Sequence, residues 1–241
     1  MAVRLDRISF PARIGFSWLL FFVFMSVFSM VDVDFKVADI IYALEDHRWS
    51  LQSSFIAQDV IHQGGKTLSL CLGIAVLCLL SISVLRTEWR NLRRPLLYLF
   101  LATLLSTLAV SVLKHTISME CPWDLSRYGG AANFVGLLDK RPAFMAASAC
   151  FPAGHASAGY AWISLYFFFA AIKPEWRWKG LAFGLAMGGI FGVGQQLRGA
   201  HFLSHDLWTV MICWTVSFAM AHVMLTGSAL RHKYQPTGHA L

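Results

Sequence analysis

Six apolar runs, each long enough to cross a lipid bilayer, constrain this chain more than any other feature. They lie at about 14–31, 66–85, 96–114, 155–172, 180–197 and 205–225. A helix needs roughly 20 mostly apolar residues to span the hydrocarbon core. Composition agrees with this reading: 57% of the residues are apolar and 14% are charged, where a soluble domain carries about 25% charged residues. The expected fold is an all-α membrane protein, a six-transmembrane-helix bundle forming one domain over residues 1–241. No secretory cleavage pattern follows the first run, which is therefore expected to remain as an anchor.

The segments between the runs alternate in charge. Segments 1–13, 86–95, 173–179 and 226–241 hold twelve of the twenty Lys and Arg but three of the thirteen acids. The positive-inside rule places these segments, and both termini, in the cytoplasm. The net charge of +7 then reflects topology, and nucleic acid is not an expected partner.

On the opposite side, residues 32–65 carry Asp32, Asp34, Asp39, Glu45, Asp46 and Asp59. Val37, Ile40, Ile41 and Leu44 recur at helical spacing among them, so an amphipathic external segment lying on the outer interface is expected. His47, His62 and Trp49 read as interfacial anchors there. Residues 116–154 form the longest irregular stretch, and a long structured loop in a compact bundle is usually functional. In the fifth run, Gly184, Gly188 and Gly192 are four apart, which suits close helix packing.

Polar residues gather at the outer ends of the runs. Lys114 closes the third run, and Arg127 lies in the loop beyond it. The turn Phe151–Gly159 opens the fourth run with His155 just after Gly154, where free backbone N–H groups attract anions. Arg198, His201, His205 and Asp206 occupy the turn between the fifth and sixth runs. Ionisable groups at membrane depth are costly, so their convergence at one end marks a functional site. Lys and Arg neutralise phosphate oxygens. One imidazole attacks phosphorus, a hydrogen-bonded partner fixes its tautomer, and a second imidazole protonates the leaving oxygen. This set of residues fits phosphoryl transfer.

With those residues in place, the chain resembles the type 2 phosphatidic acid phosphatase superfamily of membrane lipid phosphatases. The family's signatures are Lys-x6-Arg-Pro, Pro-Ser-Gly-His and Ser-Arg-x5-His-x3-Asp. Here Lys114 is followed by Cys121-Pro122, the second signature reads Pro152-Ala-Gly-His155, and the third reads Gln195-x5-His201-x3-His205, with Asp206 next. The resemblance covers residues 114–206 with the spacing kept. It implies His201 as nucleophile through a phosphohistidine, and His155 as acid and then base. Lys114 and the backbone near Gly154 would hold phosphate, and no metal or organic cofactor is implied. The implied substrate is a phosphorylated lipid at the outer face: a polyprenyl diphosphate such as undecaprenyl diphosphate, phosphatidylglycerophosphate, phosphatidic acid or lipid A. The implied location is a bacterial inner membrane, multi-pass, with the active site periplasmic. Transfer of phosphate to a second lipid, or non-catalytic lipid binding or transport on the same fold, are the alternatives.

Cys121, Gln195 and His205 depart from the family pattern. Arg198 and Arg127 are expected to supply the missing guanidinium groups. Asp206 orients His201 if the turn places it there; otherwise His205 takes part. Cys121 and Cys150 lie at the two ends of one external loop. A bridge between them would close about 29 residues and add roughly 3–4 kcal/mol in an oxidising compartment. A zinc site on His155, His201, His205 and Asp206 is the rival reading, opposed by the cations Lys114 and Arg198.

Overall fold

The computed structural model of the chain describes residues 10–232 except 138 and 146. Arg4, Asp6, Arg7 and Lys233, which carry part of the charge alternation, lie outside the described residues, as does the tail beyond them.

The elements are helical. Helix α1 spans Phe10–Met30 and α2 spans Val33–Leu44. A π-helix, Ile56–Gly64, runs directly into α3, Gly65–Leu85. Then come α4 (Arg90–Thr116), α5 (Gly154–Tyr160), a 3-10 turn (Ala161–Ser164), α6 (Leu165–Ile172), α7 (Arg177–Leu197) and α8 (Leu203–His232). Among the described residues the extended pairings are isolated bridges, Met119 with Ala149 and Leu125 with Ala132.

Five helical stretches are long and apolar enough to cross a membrane: Phe10–Met30, Ile56–Leu85, Thr87–Thr116, Pro174–Leu197 and Leu203–Thr226. The fourth expected run differs from the others. It is built from α5, the 3-10 turn and α6 in succession, and it carries His155, Ser157, Tyr160, Trp162 and Ser164. Those polar and amphipathic residues lower its hydropathy, and burial explains why they are tolerated. Ala156, Ser157, Gly159 and every residue from Tyr160 to Ser164 are buried, so protein encloses the first half of the segment, while Ala171 and Ile172 at its far end are exposed. By contrast α1 exposes Phe16, Leu19, Leu20, Phe22, Val23, Phe24 and Val27, the surface a lipid-facing helix requires.

Glycines bring the fourth segment against α7. A Cβ on Gly188 would strike the Tyr160 ring, and one on Gly184 would strike the backbone at Ile163. Only hydrogen fits there, so the two backbones touch, as small-residue stripes permit in membranes. Hydrogen bonds complete the centre. Tyr98 on α4 donates to the Ser217 carbonyl at 3.1 Å and to the Ser164 carbonyl at 3.4 Å. Trp162 Nε1 donates to Ser69 Oγ, which donates to the Ala158 carbonyl at 2.8 Å. At the end of the bundle away from His155, Arg93 donates to the Ser83 and Val84 carbonyls at the C-terminus of α3, where a cation also suits the helix dipole.

Helix α2 does not stand apart from the bundle. Ala38 is buried with Leu125, Tyr128 and Phe202, while Ile40 and Leu44 on its other side are exposed. Asp34 accepts the Ser204 backbone N–H at 2.8 Å, capping the first turn of α8 from a different helix. Trp49 packs over Gly199, whose φ of +70° and lack of a Cβ both suit glycine.

Candidate active site

Five helix ends meet at one pole of the bundle: the π-helix–α3 junction, the end of α4, the start of α5, the end of α7 and the start of α8. Lys114 lies in the last turn of α4. Its side chain runs along Gly154, where a Cβ would come within 3.1 Å of Lys114 Cδ and 3.5 Å of Nζ. The ammonium is thereby held at the opening of α5, one residue before His155. The charge of Lys114 reaches both His155 and His201.

His201 sits in the short turn between α7 and α8 and is buried. Its Nδ1 is 3.3 Å from Nδ1 of His205. His205 lies one turn into α8 and is almost fully buried, with the Phe151 ring edge-on at 5.3 Å. Both imidazoles also meet the Cys150 backbone. Burial, then the neighbouring His205 and the Lys114 charge, hold His201 well below the usual histidine range. It is therefore an uncharged imidazole at neutral pH, as a nitrogen nucleophile must be.

Asp206 points elsewhere. Gln196 Nε2 donates to its Oδ2 at 2.5 Å, and the carboxylate fills the space beside Gly192 on α7. The structure thus brings His205, and not Asp206, to Nδ1 of His201. With Asp206 turned toward α7, the carboxylate does not converge with the imidazoles on a metal position. Among the described residues, the grouping close enough to share a metal is Cys121, Asp124 and Cys150. Its two sulfurs are joined to each other as the Cys121–Cys150 disulfide, with Cα atoms 5.3 Å apart, an ordinary separation for a bridge.

Arg198 reaches the pole from the end of α7. It donates through Nε to the Gln52 carbonyl at 2.8 Å and through Nη1 to Gln195 Oε1 at 3.2 Å. Burial lowers its basicity somewhat. Arg127 is engaged differently. Its guanidinium binds both carboxylate oxygens of Asp39 on α2, at 2.9 and 2.6 Å, and lies over the Phe35 ring. This pair holds the Asp39 carboxyl below its usual range. The contacts of Arg127 lie in the layer formed by α2 and the loop, and none is with Lys114, His155 or His201.

Two further residues stand at the pole: His62, expected as an interfacial anchor, and Lys66, for which no role was expected. His62, on the π-helix, stacks on the His155 ring with centroids 3.4 Å apart and planes 9° from parallel. Lys66, one turn later, carries a charge that reaches His62, Lys114 and His155. No motif spacing links them to Lys114 and His155, which are 48 or more positions away. The available signal was the offset of four between them, which puts both on one face of a helix entering the membrane.

The pole therefore combines three cations with a buried neutral imidazole and a second imidazole beside Gly154. Such an arrangement can hold an anion between an uncharged ring nitrogen and a second imidazole. A family model described as the PAP2 superfamily matches residues 95–228. No curated protein and no solved structure matches the chain. The matched stretch runs from α4 into α8 and contains Lys114, His155, His201 and His205 at the pole, and on that basis the chain belongs to the PAP2 superfamily, the type 2 phosphatidic acid phosphatases, whose members act on phosphorylated substrates.

Proposed function

We propose that the protein hydrolyses a lipid phosphate or lipid diphosphate at the outer face of a bacterial inner membrane through a phosphohistidine on His201. The observation that carries this reading is the pairing of His201 Nδ1 with His205 Nδ1 at 3.3 Å. That contact leaves Nε2 of His201 as the nitrogen turned away from the partner ring, and in this reading Nε2 attacks.

In the first step Nε2 bonds to phosphorus and the bond from phosphorus to the lipid oxygen breaks. The proton on His201 Nδ1 is donated to His205, which steadies the charge developing on the ring. His155 gives a proton to the departing lipid oxygen. His155 Nε2 faces the His62 carbonyl at 2.8 Å, and a carbonyl only accepts, so the transferable proton is on Nδ1. In the second step His155 Nδ1 takes a proton from water, the water oxygen attacks phosphorus, and the bond to His201 breaks. Lys114, Lys66 and Arg198 offset the charge on the phosphoryl oxygens, each well-placed donor supplying about 2–4 kcal/mol. His205 orients the nucleophile, Asp206 braces α8 against α7, and Arg127 holds α2 in place.

The segment Gly154–Ile172 is the sixth crossing in this reading. It leaves the pole at His155, and α7 returns to the pole at Leu197 after a connection of four residues, 173–176. Its length must therefore match that of α7. Both termini then fall on the cytoplasmic side. Trp176 and Trp178, with Lys173, Arg177 and Lys179 against their rings, form an interfacial belt there. The amphipathic α2 lies over the external loop.

The test is phosphate release by purified protein from phosphatidic acid, phosphatidylglycerophosphate, undecaprenyl diphosphate and lipid A, with wild type beside His201→Ala. Release by wild type and trapping of a phosphoenzyme that His201→Ala lacks are expected. Equal release by the two proteins would sink the reading.

A further inference from the structure

The π-helix Ile56–Gly64 precedes the matched family region by about thirty residues, yet it delivers His62 to the centre of the pole. Its placement follows from two glycines. Gly65 lets the Phe191 ring of α7 lie against the start of α3, and Gly194 on α7 lets Ile61 pack onto the helix. Ile61 and Gly65 are therefore pinned on either side of His62.

His62 makes three contacts with groups of the proposed reaction. Its carbonyl accepts from His155 Nε2 at 2.8 Å. Its ring stacks on the His155 ring at 3.4 Å. Its Nδ1 faces Gln195 Nε2 at 3.1 Å and Arg198 Nη1 at 3.3 Å. An amide NH2 and a guanidinium are donors only, so Nδ1 of His62 must present its lone pair to them. The His62 proton then resides on Nε2, and the ring is neutral. A neutral platform is what His155 needs, because His155 alternates between charged and uncharged forms during turnover and two stacked imidazolium rings would repel.

We propose that His62 is a positioning residue that fixes the ring and tautomer of the acid His155 and, through Nδ1, holds Gln195 and Arg198 at the phosphate. This rests on the phosphohistidine reading above. Its two arms separate by substitution. His62→Phe keeps a ring to stack on His155 and keeps the backbone carbonyl, but loses Nδ1. His62→Ala loses both ring and Nδ1.

The experiment measures kcat, KM and inhibition by inorganic phosphate on whichever lipid phosphate of the panel is hydrolysed fastest, with melting in detergent as the folding control. His62→Ala is expected to lower kcat about 10-fold or more, part of the 10²–10⁴ that a positioned acid contributes. It should also move the limb of the kcat–pH profile that reports His155. The groups facing His155 in that titration are His62, Lys66, Lys114, Arg198 and His201, of which only His62 is changed. His62→Phe is expected to keep that limb, to lower kcat less than His62→Ala does, and to weaken inhibition by inorganic phosphate about 3- to 10-fold, one hydrogen bond's worth. The proposal is overturned if His62→Ala turns over like wild type. It is equally overturned if Ala and Phe variants lose kcat together with the pH profile unmoved. His201→Ala runs in the same assay: activity surviving there strikes at the phosphohistidine reading, and a dead His201→Ala beside an unaffected His62→Ala strikes at His62 alone.

Discussion

Replacing His205 with Phe tests whether one imidazole can orient another in place of a carboxylate. The position is almost fully buried, and the Phe151 ring lies edge-on at 5.3 Å, so a phenyl ring fits the site in size and polarity. What disappears is the ring nitrogen 3.3 Å from Nδ1 of His201. Loss of an outer partner that fixes an imidazole typically costs 10- to 100-fold, which is about 1.4–2.7 kcal/mol in the barrier at 1.36 kcal/mol per tenfold. His205 is a neutral partner, so the lower half of that range is expected. His205→Asn places a polar atom where Nδ1 stood and should recover most of the loss. His205→Asp restores the residue type of the family signature and should match or exceed wild type. Single-turnover phosphate release, with quenching to count phosphoenzyme, reads the first step alone. If His205→Phe forms phosphoenzyme at the wild-type rate with an unchanged melting point, the orienting role is wrong.

Other outcomes follow from the same geometry. Gly184→Ala should destabilise by about 1–3 kcal/mol through overpacking, because its Cβ meets the Ile163 backbone; Gly73→Ala, with nothing within 4 Å, should melt like wild type. Replacing Cys121 and Cys150 by Ser should cost about 2–4 kcal/mol of stability and lower kcat, since the Cys150 backbone meets both His201 and His205; non-reducing mass spectrometry showing two free thiols in wild type would refute the bridge. Arg127→Ala should change stability by no more than about 1 kcal/mol, as exposed ion pairs do, and should leave KM where it was. His201 gives a pH signature: the unfolded chain protonates it near pH 6.5 whereas the folded chain does not. Stability present above that pH is therefore lost as the pH falls, by up to about 1.4 kcal/mol per unit. Melting points from pH 7 to 5 should fall less steeply in His201→Gln.

The apolar runs and the charge alternation were enough to anticipate α1, α3, α4, α7 and α8, because a bilayer dictates helix length directly. The order Lys114, His155, His201, His205 was legible for the same reason: each stands at a helix end on one side. The Gly184–Gly192 spacing also foretold the close approach of α7. The 3-10 turn at Ala161–Ser164 was not legible, since it depends on where α7's glycines let the neighbouring backbone sit. Whether His205 or Asp206 faces His201 was likewise beyond the sequence. The residues are adjacent and differ by about 100° around the helix axis, so only the orientation of α8 decides, and Gln196 takes Asp206. The pairing of Arg127 with Asp39 was not legible either, because the two are 88 positions apart. His62 read as an interfacial anchor because its contacts come from segments far along the chain, around His155, Gln195 and Arg198.

The glycine seam between α7 and the segment Gly154–Ser164 also bears on how such a chain can diverge. Where backbone rests on backbone, no side chain remains to be exchanged, so the distance between His155 and the turn holding His201 is set by the main chain itself. Substitutions among the exposed apolar residues of α1 and α3 can accumulate without altering that distance. The spacing of the two histidines and the outer surface of the bundle are thereby free to change independently of each other.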